Sequence, residues 1–452
     1  MSGQPLGIPL TDARRGVESS DTESTRAPPV LPPISRKKQA GVLFSAFVTI
    51  ALTIGYNQCF GVFQEYYLSP SQDVLSPSPA SQATPPTAFL AFVGTLCYGL
   101  TWAGGILVNP VISRIEVGAW SQTGPSPSNR IWRRRILRML TPRAITVSGV
   151  VMMSSGFALA SLSTSIWQLL LTQGFLMLAG GGAGGLILSP VIRALLSSVG
   201  GRWTLRICAL FNLLAGLPIA WAVPRSRYAG VSTPDGPERR NTHVSRTLAL
   251  RATFIFSAVA AFLQAAGAQL PLSFIPSYTV VLGLSSSQGA NLLAASNAIN
   301  AVSRVLTGYA GDKLGRQNTL VLTLLLAASS VFAFWLSSVM VISAASTSLW
   351  LVFIVLYSIC GGGYYALFPA LIAEVFGIRQ YAAVNAFILF VRGLGTIFGS
   401  PVGGLLLGGS EVGTRAYASI VYWDGALLMG ATACCVGVRW ADGKGKGWKW
   451  IA

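Results

Sequence analysis

Apolar residues along this chain fall into blocks of about 20, and short polar segments separate one block from the next. A helix of that length crosses the hydrocarbon core of a bilayer, so each block predicts a transmembrane span. The predicted spans are 41–66, 88–112, 144–162, 166–188 and 207–223, then 252–282, 289–310, 320–340, 349–370, 382–407 and 418–438. The pattern predicts an all-α membrane protein with five clear spans, a polar linker and six more spans.

The polar segments divide the chain into a tail, two helical halves, a linker and a second tail. Residues 1–40 are rich in Ser, Thr and Pro and too poor in apolar residues to fold, so we expect a disordered tail there. A first helical half occupies 41–223, the linker 224–251 and a second half 252–438, and a short tail follows at 439–452.

Basic residues concentrate in the N-terminal tail, the loop after the second span, the linker and the C-terminal tail, whereas the loop 68–87 contains none. By the positive-inside rule, both termini and the linker are predicted to lie in the cytoplasm. This topology accounts for the formal net charge of +18. No aromatic-interleaved basic surface or zinc-ligand spacing accompanies the charge, so we expect no nucleic-acid partner.

Composition argues against a soluble enzyme. Charged residues make up 10% of the chain, against about 25% in soluble domains. The single histidine, His243, lies in the linker, and the spans contain no acid pair or metal-ligand cluster, so neither catalytic residues, a metal nor a cofactor is predicted. The six cysteines form no CxxC pair; Cys434 and Cys435 are either buried small residues or palmitoylation sites.

The fifth span poses a problem. The termini and the linker share one side of the membrane only if each half has an even number of spans. The missing crossing falls on 186–199, a short run that contains Arg193, and 166–199 is shorter than the roughly 40 residues that two full helices need. Either a short, imperfect helix crosses here or the first half is incomplete around 186–206. We expect a short, tilted or broken helix beside span four.

Several motifs narrow the fold. They are Phe60-Gly-Val-Phe-Gln-Glu-Tyr-Tyr67, Asn297-Ala-Ile-Asn-Ala-Val-Ser-Arg304, Gly311-Asp-Lys-Leu-Gly-Arg316, Gly361-Gly-Gly-Tyr364, Phe376-Gly-Ile-Arg379 and Gly399-Ser-Pro-Val-Gly403. In order and spacing they resemble the fungal branch of the monocarboxylate-transporter-like family, within the major facilitator superfamily. The resemblance covers most of 41–438 and implies a bundle of eleven or twelve transmembrane helices in two halves, with the fifth short or missing. It implies a secondary transporter of a small organic solute, with a monocarboxylate as the expected class, in the plasma or vacuolar membrane.

Arg304 is the first candidate for solute binding, because a charge inside an apolar span is costly and usually lines a cavity or finds a partner. In the resembled family, the matching arginine holds the substrate's carboxylate. The alternative is that Arg304 extends toward the cytoplasmic interface. Arg392, deep in span eleven, is the second candidate, with structural pairing as its alternative role. The full set of predicted substrate-binding residues is Arg304, Asn300, Asn297, Arg392, Asn57 and Tyr278.

Asp312 and Arg316 are spaced i, i+4 in a tight predicted cytoplasmic loop. Such a pair can hold neighbouring helix ends together and release them during transport, or it consists of ordinary solvated charges. We expect a gating role.

The chain departs from the family where proton coupling is concerned. Asn300 replaces the aspartate that proton-coupled members often carry, and Glu65 and Asp424 lie near predicted span ends. Symport and facilitated diffusion therefore both remain open, as does a transport-impaired membrane protein with an incomplete first half. The oligomeric state is not predicted.

Overall fold

A computed structural model of the chain describes residues 35–36, 39–41, 44–45, 56, 59–76, 86–106, 142–179, 185–222, 244–341, 345–407, 413–446 and 448. Within these ranges the backbone forms helices joined by short turns, without strands. Several predicted features lie outside the described residues: Asn57, most of the first span, 107–141, His243 and the glycines at 180–184.

Six helical segments make up the described part of the first half. They are α1 Phe60–Leu68, α2 Pro86–Ala103, α3 Pro142–Ala160, α4 166–179, α5 185–199 and α6 201–222. The winding of α4 widens to a π-helix at Leu170–Phe175 and tightens to a 3₁₀ turn at Leu176–Ala179. The predicted span is therefore an irregular helix.

The short fifth helix is confirmed. Helices α5 and α6 meet at Gly200, whose φ of 78° breaks the helix in a conformation that favours glycine. At 1.5 Å per residue, α5 is about 22 Å long, which is less than a hydrocarbon core of about 30 Å. Its arginine, Arg193, forms an ion pair with Glu65 at the end of α1.

The second half is described almost completely. Its helices are α7 Ala252–Val281, α8 Ser286–Leu314, α9 Arg316–Met340, α10 Ala345–Phe376, α11 Ile378–Leu406 and α12 Ala418–Lys446, with a 3₁₀ turn at Gly413–Tyr417 before α12. Among the described residues, six helical segments are long and apolar enough to cross a membrane: Pro190–Trp221, which continues across the break at Gly200, segments within α7, α9, α10 and α11, and Gly413–Gly445, which includes most of α12. The predicted all-α bundle in two halves is thus the observed architecture.

Small residues let the two halves approach each other along α2 and α11. A β-carbon added to Gly99 of α2 would lie 2.5 Å from the carbonyl oxygen of Gly393 in α11. Nearby, the hydroxyl of Thr95 donates to the carbonyl oxygen of Ile397 at 3.4 Å. Glycine at a helix crossing is typical of membrane bundles, where close backbone packing replaces the hydrophobic effect between helices.

Candidate functional site

Two arginines from different helices share one tyrosine ring. The guanidinium carbons of Arg304 in α8 and Arg392 in α11 each lie 4.8 Å from the centroid of Tyr365 in α10, within cation–π range. Arg304 lies about 15 Å from the end of α8, and Tyr365 about 16 Å from the end of α10. Both residues lie well inside their helices, which are 29 and 32 residues long. The group therefore sits near the centre of the bundle.

Arg392 is enclosed by aromatic rings. Its guanidinium carbon lies 4.8 Å from the Tyr364 ring and 5.4 Å from the Trp102 ring, and the residue is only 5% exposed. Its Nε has no hydrogen-bond partner, and no acid of the described residues lies within ion-pair distance of it. A buried charge without an opposite charge is costly. The structure therefore presents a cation with unused hydrogen-bonding capacity.

The site includes residues from both halves. Trp102 belongs to α2, whereas Arg392 belongs to α11. One turn earlier in α2, Tyr98 packs edge-on against Trp102 with ring centroids 6.0 Å apart, and its hydroxyl interacts with that of Tyr365. A pocket between repeats near the membrane midplane is where transporters of this architecture bind their solutes.

Arg304 is oriented by the preceding turn of its own helix. Its Nε donates to Asn300 Oδ1 at 3.1 Å, and Asn300 Nδ2 donates to the carbonyl oxygen of Ser358 at 3.4 Å. The guanidinium thus reaches away from the predicted cytoplasmic end of α8 at Leu314. Asn297, one turn earlier, has a buried Nδ2 without a partner among the described residues. Residues three and four apart share a helix face, so these three predicted residues lie together.

Tyr278 lies elsewhere. It is fully buried in the second half, its ring centroid is 4.7 Å from that of Trp350, and its hydroxyl is 3.0 Å from Ser338 Oγ. These contacts belong to an aromatic cluster in the core, so we leave Tyr278 out of the proposed site.

The predicted gating pair is formed. Arg316 Nη2 donates to Asp312 Oδ1 at 3.1 Å, across the break between α8 and α9 at Gly315. Both side chains are well exposed. An exposed pair of this kind contributes less than about 1 kcal/mol, so it could be broken at little cost.

The aromatic residues around the arginines are not among the residues predicted from the sequence. Tyr364 and Tyr365 follow the glycine run at Gly361, and Trp102 and Tyr98 lie in an otherwise apolar span. Aromatic residues in a span are usual, so only their position around Arg392 marks them as part of a site. The adjacent Tyr-Tyr pair beside three glycines was the available signal.

Comparison with known proteins agrees with this fold. Residues 145–346 match the family described as "Major Facilitator Superfamily". An "MFS-type transporter 1" from Ophiocordyceps is 26% identical over 90% of this chain and 87% of its own length. The "MFS-type transporter pynF" of Aspergillus niger is 25% identical over 85% and 84%. The "Aspyridones efflux protein apdF" of Emericella nidulans is 24% identical over 95% and 85%.

Solved structures of transporters share the fold. The nucleoside transporter NupG superimposes with a TM-score of 0.56 at 11% identity, over 89% of this chain and 99% of its own. The xylose transporter XylE from E. coli gives a TM-score of 0.57 at 14% identity, over 88% and 97%.

The helical fold of this chain is shared with solved multi-pass membrane transporters. The match to the major facilitator superfamily covers residues 145–346, and the fungal relatives named above are MFS-type transporters. The narrower resemblance to monocarboxylate transporters is not supported by these comparisons and stays a prediction.

Proposed function

We propose that this protein is a secondary transporter that moves a small organic anion by alternating access, with Arg392 and Arg304 contacting the anion. The observation that carries the proposal is the buried guanidinium of Arg392, which has no acidic partner among the described residues. A carboxylate is the expected anionic group, because the planar guanidinium offers paired donors that match two carboxylate oxygens.

Electrostatics favour an anion over a neutral or cationic solute. Two guanidinium groups around one ring repel each other and any added cation, whereas an anion offsets both charges. The rings of Trp102, Tyr364 and Tyr365 add apolar faces beside the charges. The site therefore suits a carboxylate attached to an apolar or aromatic body.

The contacts between the halves suit alternating access. The glycine contact of α2 with α11 holds the halves close beside the site, while the exposed Asp312–Arg316 pair is weak enough to open. We infer that the halves rock about this central contact and expose the arginines to each side in turn.

A second candidate function is a membrane protein of transporter ancestry with impaired transport. The observation that favours it is the short α5, because a short helix encloses the transport pathway less completely on that side of the first half. Uptake by the purified protein in liposomes distinguishes the two candidates.

The first experiment measures binding. Benzoate is compared with benzamide, its neutral analogue of nearly the same shape, in thermal unfolding of the purified protein. At 100 times its dissociation constant, a ligand stabilises the folded state by about 2.7 kcal/mol. We expect stabilisation by benzoate, little by benzamide, and loss of the difference in Arg392→Gln. Equal stabilisation by both compounds, or by neither, would contradict the anion site.

The second experiment measures uptake of labelled benzoate by proteoliposomes, with protein-free liposomes as the background. Uptake above background that Arg392→Gln abolishes supports the transporter. Binding without uptake supports the impaired protein.

A further inference from the structure

Asp424 in α12 is a fully buried acid without a partner. It is 0% exposed, and neither carboxylate oxygen has a hydrogen-bond partner among the described residues. The helical segment that contains Asp424 and is apolar enough to cross a membrane begins at Gly413. Asp424 therefore lies about three helical turns inside it.

Within the part of the chain that the structure describes, no basic side chain lies within ion-pair distance of Asp424. Its Oδ1 would lie 3.1 Å from a β-carbon on Gly267 of α7, and the neighbouring Gly425 faces the ring of Phe332 in α9. Tyr357 of α10 is a titratable side chain close enough to Asp424 for the two groups to interact electrostatically. An ionised carboxylate in such a place is strongly disfavoured. The neutral acid is the form that this environment tolerates.

A second buried acid on the same helix, Asp442, has the hydrogen-bond partner that a structural role requires. Asp442 is also buried, but Gln317 Nε2 donates to its Oδ2 at 2.9 Å. Asp424 contributes no such bond, and an apolar side chain of similar size would avoid its desolvation cost. Ionisable groups kept inside a membrane without a structural partner commonly serve proton transfer.

Asp424 is linked to the two arginines through α10. The Tyr357 hydroxyl donates to the carbonyl oxygen of Ala268 at 3.3 Å, and Ala268 adjoins Gly267, the residue of α7 that lies against Asp424. Tyr357 and Tyr365 are eight residues, or about 12 Å, apart on α10. Tyr357 therefore connects the helix beside Asp424 with the helix that carries the ring shared by the arginines.

We propose that Asp424 is the proton-binding residue of the transport cycle: it takes up one proton from water on one side, is neutral while the anion is bound, and releases the proton on the other side. This proposal rests on the proposed function. For a charge separation on the order of 12 Å and an effective dielectric constant of about 20, Coulomb's law makes the removal of one negative charge strengthen anion binding about tenfold. Proton and anion would thus bind together.

The protonation state is tested without any solute. Infrared spectra of the wild-type protein in liposomes at neutral pH should show the carbonyl stretch of a protonated carboxylic acid. The matched variants are Asp424→Asn, which should lose this band, and Asp442→Asn, which should keep it. Asp424→Glu, which retains an acid at the same place, should restore a shifted band and shows that a loss is not due to misfolding. Identical bands in wild type and a correctly folded Asp424→Asn protein would overturn the proposal.

Coupling is tested with benzoate binding at low and high pH. The wild type should bind about tenfold more weakly at high pH, whereas Asp424→Asn should bind equally at both. If the wild type shows the band and Asp424→Asn binds benzoate with the same pH dependence as the wild type, Asp424 is a neutral structural acid. That result would overturn the coupling. A wild type that shows the band and binds no benzoate contradicts the proposed substrate class instead.

Discussion

Arg193 Nη1 lies 2.6 Å from Glu65 Oε2, and this ion pair fastens the short α5 to the end of α1. The other oxygen of Glu65 accepts a hydrogen bond from Ser286 Oγ at 2.9 Å, at the start of α8. One carboxylate thereby joins two helices of the first half to one of the second. Arg193, which an incomplete half would expose to lipid, has its charge offset inside the bundle.

We expect this pair to couple strongly. The single variants Glu65→Gln and Arg193→Met, together with the double variant, should give a coupling energy of about 1–3 kcal/mol for the unfolding free energy in mixed micelles, since both side chains are largely buried. The exposed pair Asp312–Arg316 is the control and should give less than about 0.5 kcal/mol. Equal coupling energies in the two pairs would show that burial of Glu65 and Arg193 does not strengthen their interaction.

The glycine contact between the halves should not tolerate a methyl group. In Gly393→Ala, the new carbon would overlap the backbone of Gly99 and the side chain of Ala103, so we expect a destabilisation of about 1–3 kcal/mol and reduced transport. Gly308→Ala is the control, because a β-carbon there meets nothing within 4 Å. Melting temperatures and uptake by both variants check this, and equal behaviour would argue against close packing of α2 and α11.

Conservative changes at the arginines should impair transport. Arg304→Lys and Arg392→Lys keep the charge but remove the planar pair of donors, so we expect at least about a tenfold loss of benzoate affinity, or 1.4 kcal/mol. The exposed Arg415 provides the control, Arg415→Lys, which should bind normally. Unchanged affinity in Arg304→Lys, in correctly inserted protein, would point to a role at the interface rather than at the solute.

The predicted topology is open to cysteine labelling. A cysteine introduced into the linker, as in Ser232→Cys, should be protected from an impermeant reagent in intact cells. Ser76→Cys, exposed after α1, should be labelled, and the wild type reports the background from the native cysteines. Labelling at 232 without permeabilisation would reverse the assignment of sides.

The first half should be the less stable of the two. Helix α5 is shorter than any of the helices α7 to α12, so we expect fewer helical contacts to hold the first half together. Limited proteolysis in detergent, followed by mass mapping, should cleave within 113–206 before 252–438. Similar resistance of the two regions would show that the first half is intact.

The sequence by itself determined that the chain is a two-half helical membrane protein, because the length of a span is set by the thickness of the bilayer and is visible as apolar blocks. It also determined that the fifth helix is short, since too few apolar residues follow span four. Arg304 and Arg392 could be recognised as unusual because a charge in an apolar block is costly wherever the block packs.

Tertiary structure decided which residues surround those charges. Trp102 and Tyr365 meet Arg392 from helices far apart in sequence, and local periodicity contains no information about such meetings. Local periodicity is equally uninformative about Glu65 and Asp424, two acids that the sequence pattern places near span ends. Packing gives Glu65 an arginine and leaves Asp424 among apolar neighbours, and the difference arises because an acid's state depends on the groups that other helices bring to it.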